Sequence, residues 1–536
     1  MGNTARMAGN LCACLFLLLL SQLTFSPAIA AESFEAASNE INKRLAAHWQ
    51  AKKITPANFA DDATLLRRIT LDLLGRIPTQ VEIDAHLNRK DAKPFRERYP
   101  SIVAELIDSP EFSLHQGAML DEMLQGPAAG NAEFTDYLRR SLRDGKPWNQ
   151  FFRELLVGPW DEPERKPATK FLELRAKDLD KLTTDTTRVF FGVDVSCARC
   201  HDHPLTDDWK QDHYYGMASF FHRTTGGKGS IGEKSDGDVT FKAADGSQQT
   251  ARVMFLSGQV ASEPPEMDGK KAKVSRREQL VEIALAEQKF LSRALVNRLW
   301  QQFLGRGLVH PVDQIHSGNP PSVPGLLEWL AEDFVASGYN VKRLVGAIVT
   351  CRAYQLSSQW ELMSPVPAEE DFAVVRLQLL SPRLYAFALL MTTGRADFSP
   401  ASPLEQRVER LAGTAGSKRI AQYLTTEQQA ADLLAHLDPQ QDNQTSAAEA
   451  LFLSNNPTVQ KLFAADEKTL AAKLATVEEP AQLVESAIRA VYGRAATTEE
   501  VARLTTWINS QTSPRQQTCE QLVWVLVTAA EFRFKH

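Results

Sequence analysis

The chain has 536 residues, 43% of them apolar, with 60 Lys and Arg against 66 Asp and Glu and a formal net charge of −6. That length and apolar share support roughly two to four domains with their own cores and exclude disorder as the default state. The balance is mildly acidic and no basic block is present to neutralise phosphates, so nucleic acid is excluded as an expected partner.

Residues 1–30 read as a secretory signal peptide: Arg6 leads into an apolar run from Leu11 to about Leu23, and cleavage is expected at Ala28-Ile29-Ala30, before Ala31. Arg6 is the only charge in that segment, so its removal takes the net charge from −6 to −7. No later stretch supplies the roughly 20 apolar residues of a transmembrane helix. The mature protein is therefore expected in the periplasm, at the cell surface or outside the cell, without a membrane span. Cys12 and Cys14 fall in the signal, and Gly9-Asn10-Leu11 does not form a lipobox. Cys197, Cys200, Cys351 and Cys519 remain, too few for a disulfide scaffold. Cys351 and Cys519 lie in apolar helical contexts and read as core residues.

Residues 31–225 form one helical domain by pattern. Leu65, Leu66, Ile69, Leu73 and Leu74 make an apolar stripe that ends at Gly75, and Thr79 and Glu82 stand in capping-box spacing at the start of the next helix. Further helices are predicted at about 95–107, 111–125, 133–144, 148–156 and 178–191. Composition then turns Gly- and Asp-rich, and residues 226–273 read as a β insertion and linker. Val239-Thr240-Phe241 and Ala251 to Phe255 flank Asp245-Gly246 as a hairpin, and Pro264 to Lys273 is the linker. Helical periodicity resumes over 274–536, including Leu326–Val335 and Val341–Val349 on either side of Ser337-Gly338-Tyr339-Asn340. The fold class is mainly α: a multi-helical two-domain protein with a small β-hairpin insertion between its halves. A distant echo links Gly75-Arg76 to Glu82 with Gly493-Arg494 to Glu500, each followed later by Glu-Phe, at Glu111-Phe112 and Glu531-Phe532. It reads either as a generic Gly cap plus capping box or as a repeated helical unit.

Chemistry concentrates at Cys197-Ala198-Arg199-Cys200-His201. In a c-type haem site of this spacing, two thiols add to the porphyrin vinyl groups and the adjacent imidazole ligates iron. Met217 as sixth ligand would raise the potential, His213 or His222 would lower it, and an open position would admit ligand or peroxide chemistry. His203 is too close to His201 in the chain to reach the opposite haem face and reads as a supporting residue. Trp209, Tyr214, Tyr215, Phe220 and Phe221 supply an aromatic surface, either as a porphyrin wall or as ordinary core. Three alternatives compete: a Cys197–Cys200 disulfide, a zinc site using both cysteines with two of His201, His203 and His213, and a merely structural cluster. A second polar stretch, His310 to His316 with Asp313, has metal-ligand residue types, but Pro311 argues against a regular helix placing them on one face. No nucleophile elbow, phosphate loop or zinc-protease motif is present.

Leu73 to Thr79, Cys197 to Pro204 and Tyr214 to Phe221 together resemble the planctomycete cytochrome-c-like domain of unknown function. The second half resembles that family's C-terminal partner domain at Arg293 to Trp300, Gly305 to Val309, Asn319 to Ser322, Leu326 to Ala331 and Glu531 to Phe534. Where that family usually has His after the Pro-Pro-Ser run, this chain has Val323. The resemblance implies a large secreted protein, and its cytochrome label rests on the Cys-x-x-Cys-His motif itself. The expectation is an exported haem c protein serving electron transfer, with a redox protein or envelope component as partner. The rivals are an envelope or polysaccharide-associated scaffold and a zinc-dependent enzyme built on the Cys/His cluster.

Overall fold

The computed structural model describes residues 27–88, 93–204, 206–227, 230–243, 246–262, 275–360, 365–396, 398, 416–434, 454–464 and 466–536. The expected signal segment up to Ser26, the expected linker Pro264 to Lys273 and Asp245 lie outside them. The fold is mainly α with small two-stranded hairpins. Among the described residues no helix is long and apolar enough to cross a membrane.

The first half runs α1 (Pro27–Lys52), α2 (Asp62–Leu74), α3 (Gln80–Leu87), α4 (Phe95–Asp108), α5 (Pro110–Gln125), α6 (Ala132–Arg143), α7 (Trp148–Leu156), α8 (Leu179–Phe191) and α9 (Gln211–Phe221). Local chemistry sets these boundaries. The Asp61 carboxylate accepts the Thr64 N–H at 2.9 Å to start α2, and Gly75 ends it in the left-handed region. Thr79 and Glu82 exchange side-chain and backbone bonds in a full capping box. Past a β region, α10 (Arg276–Glu287), α11 (Lys289–Leu304), α12 (Leu326–Ala336) and α13 (Val341–Thr350) follow, and then α14 (Pro382–Thr392), α15 (Ser417–Leu434), α16 (Pro480–Tyr492), α17 (Thr498–Ser510) and α18 (Arg515–Thr528).

The β region departs from the expected single hairpin. Strands β1 (Thr224–Gly227) and β2 (Ser230–Glu233) pair, as do β3 (Thr240–Lys242) and β4 (Gln248–Thr250). Ala251 to Phe255 is not a strand; Met254 makes an isolated bridge to Val260. The reason is burial: Val253, Met254, Phe255 and Leu256 are consecutive and all buried, so the segment is drawn into the core and cannot alternate as a half-exposed strand. The exposed Gln248-Gln249-Thr250 pairs instead.

Two large hydrophobic cores, with a small third around Leu114, Phe387, Phe398 and Tyr423, organise the described residues. The larger takes side chains from both sides of the linker, among them Leu65, Phe112, Phe152 and Phe191 from the first half and Leu280, Trp300, Leu330 and Tyr354 from the second. The smaller is built from residues between Leu380 and Phe532, joined by Leu71 and Ile77. Helix α2 lies between them, which explains why every residue from Leu65 to Leu74 is buried, Arg67 and Arg68 included. The last strand, β6 (Phe534–Lys535), pairs with β5 (Gln378–Leu379) and carries Lys535 Nζ to within 2.8 Å of Asp72 Oδ1 on α2.

The echo in the sequence is a repeated structural unit. In each copy a helix ends on a left-handed glycine, Gly75 at φ 70° or Gly493 at φ 76°, and the next residue is an arginine that grips two glutamates. Arg76 bonds Glu82 at 2.7 and 2.8 Å and Glu111 at 2.7 Å; Arg494 bonds Glu500 at 2.7 and 2.9 Å and Glu531 at 2.6 and 2.7 Å. The unit closes on a helix break, at Ser109 (φ −68°, ψ 149°) or Ala529 (φ −66°, ψ 153°), followed by a buried Phe112 or Phe532. The middle of the chain repeats the backbone frame without the ion cluster. Helix α11 ends on Gly305 at φ 80°, Arg306 follows, and Cys351 (φ −69°, ψ 158°) precedes the buried Tyr354. There Val312 and Ala353 occupy the glutamate positions.

Candidate functional site

The Cys-x-x-Cys-His segment leaves the end of α8. Asp178 caps that helix by accepting the Lys181 N–H at 3.0 Å, and Gly192 terminates it at φ 66°. A Cβ on Gly192 would lie 2.6 Å from Ile315 Cδ1, so the glycine admits a loop of the second half against the helix end. Asp194 then turns the chain: its Oδ1 accepts the Ser196 N–H at 2.9 Å and its Oδ2 accepts from Arg188 Nη2 at 2.7 Å. Desolvation would raise the Asp194 carboxyl, but the bonds from Arg188 and Ser196 outweigh it and hold the group below the usual carboxylate range.

A single 3₁₀ turn, Ser196–Arg199, carries Cys197, and Cys200 follows it. Both thiols are exposed and free, so the disulfide alternative is not formed. Their backbone is tied down from α9: Gln211 Nε2 donates to the carbonyls of Cys200 at 3.1 Å and Arg199 at 3.4 Å, and the Tyr215 hydroxyl donates to Arg199 at 3.0 Å. The turn is thus braced through its backbone while both thiols stay exposed.

His201 is exposed, with Nδ1 2.7 Å from the Asp202 carbonyl oxygen. A carbonyl only accepts, so Nδ1 carries the proton and Nε2 keeps its lone pair. His213 has the opposite arrangement. Its Nδ1 accepts the Lys210 N–H at 3.1 Å, capping α9, so the neutral ring carries its proton on Nε2 and offers no lone pair there. Burial lowers the His213 pKa, keeping the ring neutral. Met217 lies on the core face of α9, fully buried in the larger core, and His203 is buried with its backbone N–H bonded to the Trp209 carbonyl at 2.8 Å. Trp209, Tyr214, Phe220 and Phe221 are likewise core residues, while Tyr215 is half-buried and stacks on Phe241 at 4.1 Å. Among the described residues no three of His, Cys, Asp and Glu form a group that could hold a metal ion.

The two histidine-bearing stretches meet. The His203 and His316 rings lie 6.1 Å apart, and Asp208 accepts both the backbone N–H and the hydroxyl of Ser317 at 2.7 Å each. Val193 bridges to Gln314, and the Ile315 N–H donates to Gly192 at 3.0 Å. Sequence reasoning missed Asp194, Asp208, Gln211 and Ser317. Asp208 and Ser317 are 109 positions apart, and no local pattern links them.

Residues 40–226 match the family described as "Protein of unknown function (DUF1549)", PSCyt2, and residues 276–508 match "Protein of unknown function (DUF1553)", PSD1. The two matches follow one another along the chain in that order. No curated protein and no solved structure matches it. The thiols and His201 lie in the DUF1549 part and the His316 loop in the DUF1553 part, so the Asp208–Ser317 contact joins the two families.

Proposed function

We propose that this protein is an exported haem c protein that carries electrons in the periplasm or at the cell surface, with Cys197 and Cys200 as thioether anchors and His201 as the proximal iron ligand. One observation carries the reading: two free, exposed thiols and an imidazole with its Nε2 lone pair available share one braced turn. The donor chemistry fits the group, since thioether formation needs accessible thiols and a proximal histidine has its Nδ1–H held by a backbone carbonyl. Bound haem would supply one-electron redox chemistry, exchanged with a redox protein or envelope component. The chain's own residues hold the turn in place and fix the His201 tautomer. Zinc is the weaker reading, because His213 is committed to its helix cap and no three ligands converge among the described residues.

The test is expression of the full chain, signal included, in a host equipped for cytochrome c maturation, followed by a visible spectrum and intact mass. The expected product shows a Soret band and the mass of one covalent haem, and Cys200→Ala loses that adduct. Stoichiometric zinc without haem would replace the proposal with a metal enzyme, and neither group would leave a scaffold.

A further inference from the structure

We infer that His316, supplied by the DUF1553 part, is the second axial ligand of the haem proposed above, on which this inference rests. The iron has two faces, and His201 occupies one. Of the residues considered for the other, each has a physical obstacle. His203 lies two positions from His201, is followed by Pro204 and is itself buried. Met217 is fully buried in the larger core, and His213 spends its Nδ1 lone pair on the Lys210 N–H. His222 sits at the far end of α9, which puts it about 15 Å along the helix from the end that touches the Cys200 carbonyl.

His316 has none of these obstacles. It arrives on a separate chain segment, so it is free of the covalent geometry that confines His203 to the His201 side. Its loop is fastened beside the Cys-x-x-Cys-His turn by the doubled Asp208–Ser317 bond, by Ile315 to Gly192 and by the Val193–Gln314 bridge. Its ring stands 6.1 Å from that of His203 and is only partly exposed. Its Nδ1 is buried without a hydrogen-bond partner, which leaves a polar atom of this imidazole unused in the protein alone. With nothing in the protein engaging Nδ1, no contact commits Nε2 to being the protonated nitrogen, and Nε2 can present its lone pair to a metal. The DUF1553 part would then complete a bis-histidine site begun by the DUF1549 part.

The experiment compares the full-length protein with His316→Ala and His316→Met, each matured in the same host and matched by covalent haem mass and thermal melt. The expected ferric wild type is six-coordinate and low-spin. His316→Ala should become high-spin and gain carbon monoxide binding in the ferrous state, with added imidazole restoring the low-spin spectrum. His316→Met should stay six-coordinate with a raised midpoint potential. A wild type that is already high-spin, or a His316→Ala spectrum unchanged at equal haem content, overturns the ligand assignment while leaving covalent haem intact. A colourless wild type overturns the haem reading itself.

Discussion

The Arg76 and Arg494 units use the same residues in the same bonding pattern, yet they sit in different dielectric surroundings. Arg76 is fully buried, with Glu111 at 4% side-chain exposure and Arg419 of α15 as a second cation, 2.9 Å from Glu82 and 3.1 Å from Glu111. Arg494 is 25% exposed and its partner Glu531 35%. The first unit joins three chain segments in the interior; the second braces its own helices near the surface. Geometry alone therefore does not set the energetic weight of a charge cluster. Burial does, because a deserted charge in the interior has no water to turn to.

Arginine removal should separate the two most. Arg76→Ala leaves Glu111 buried and is expected to cost about 3–5 kcal/mol, against about 1 kcal/mol for Arg494→Ala, both read from denaturant unfolding. Equal losses would mean that burial is not what distinguishes the units. The glycines give a second contrast. A Cβ at Gly75 would meet His115 Nδ1 at 2.4 Å, in a ring held by Arg383 at 2.8 Å, whereas a Cβ at Gly493 meets Ile83 Cδ1 at 3.4 Å. Gly493→Ala should show only the left-handed strain of about 1–2 kcal/mol, and Gly75→Ala about 2–5 kcal/mol once overpacking is added. The smallest difference is expected in acid. Desolvation opposes ionisation of Glu82, but Arg76 prevails and holds it at about 2; hydrogen bonds from Arg494 hold Glu500 at about 2 as well. Both are depressed from the ordinary 4.5, so each contributes stability that is complete above pH 4.5 and lost as pH falls toward 2. Thermal melts across that window should show a flatter acid limb for Glu82→Gln and for Glu500→Gln, with the Glu82 variant also less stable at neutral pH.

The legible parts of the fold were those whose causes are local. The stripe in α2, its Gly75 stop and the Thr79–Glu82 box are all decided within a few residues, and the echo at Gly493 was visible because its bonds span only 37 positions. The mid-chain frame at Gly305 was hidden because Val312 and Ala353 stand where glutamates made the other two recognisable. The burial of Arg67 and Arg68 has no local sign, because distant segments cover them: Arg67 donates to the Phe532 carbonyl at 3.2 Å and Arg68 to that of Leu356 at 3.0 Å. At the candidate site, the motif itself and the residue types were legible. The tautomers of His201 and His213, which separate a ligand from a cap, depend on carbonyl and amide positions that no periodicity encodes. The meeting of His203 with His316 depends on how distant segments close upon each other.

The larger core has a consequence for how such a chain can be inherited. Its apolar side chains come from both matched parts, with Trp300 and Tyr354 in the same cluster as Phe112 and Phe152. Splitting the gene in the stretch between them would yield two polypeptides, each presenting a raw oily face to water and prone to clump before finding its mate. Neither portion is a loose bead to be shuffled onto other proteins; each is half of a mould whose other half is the neighbouring sequence.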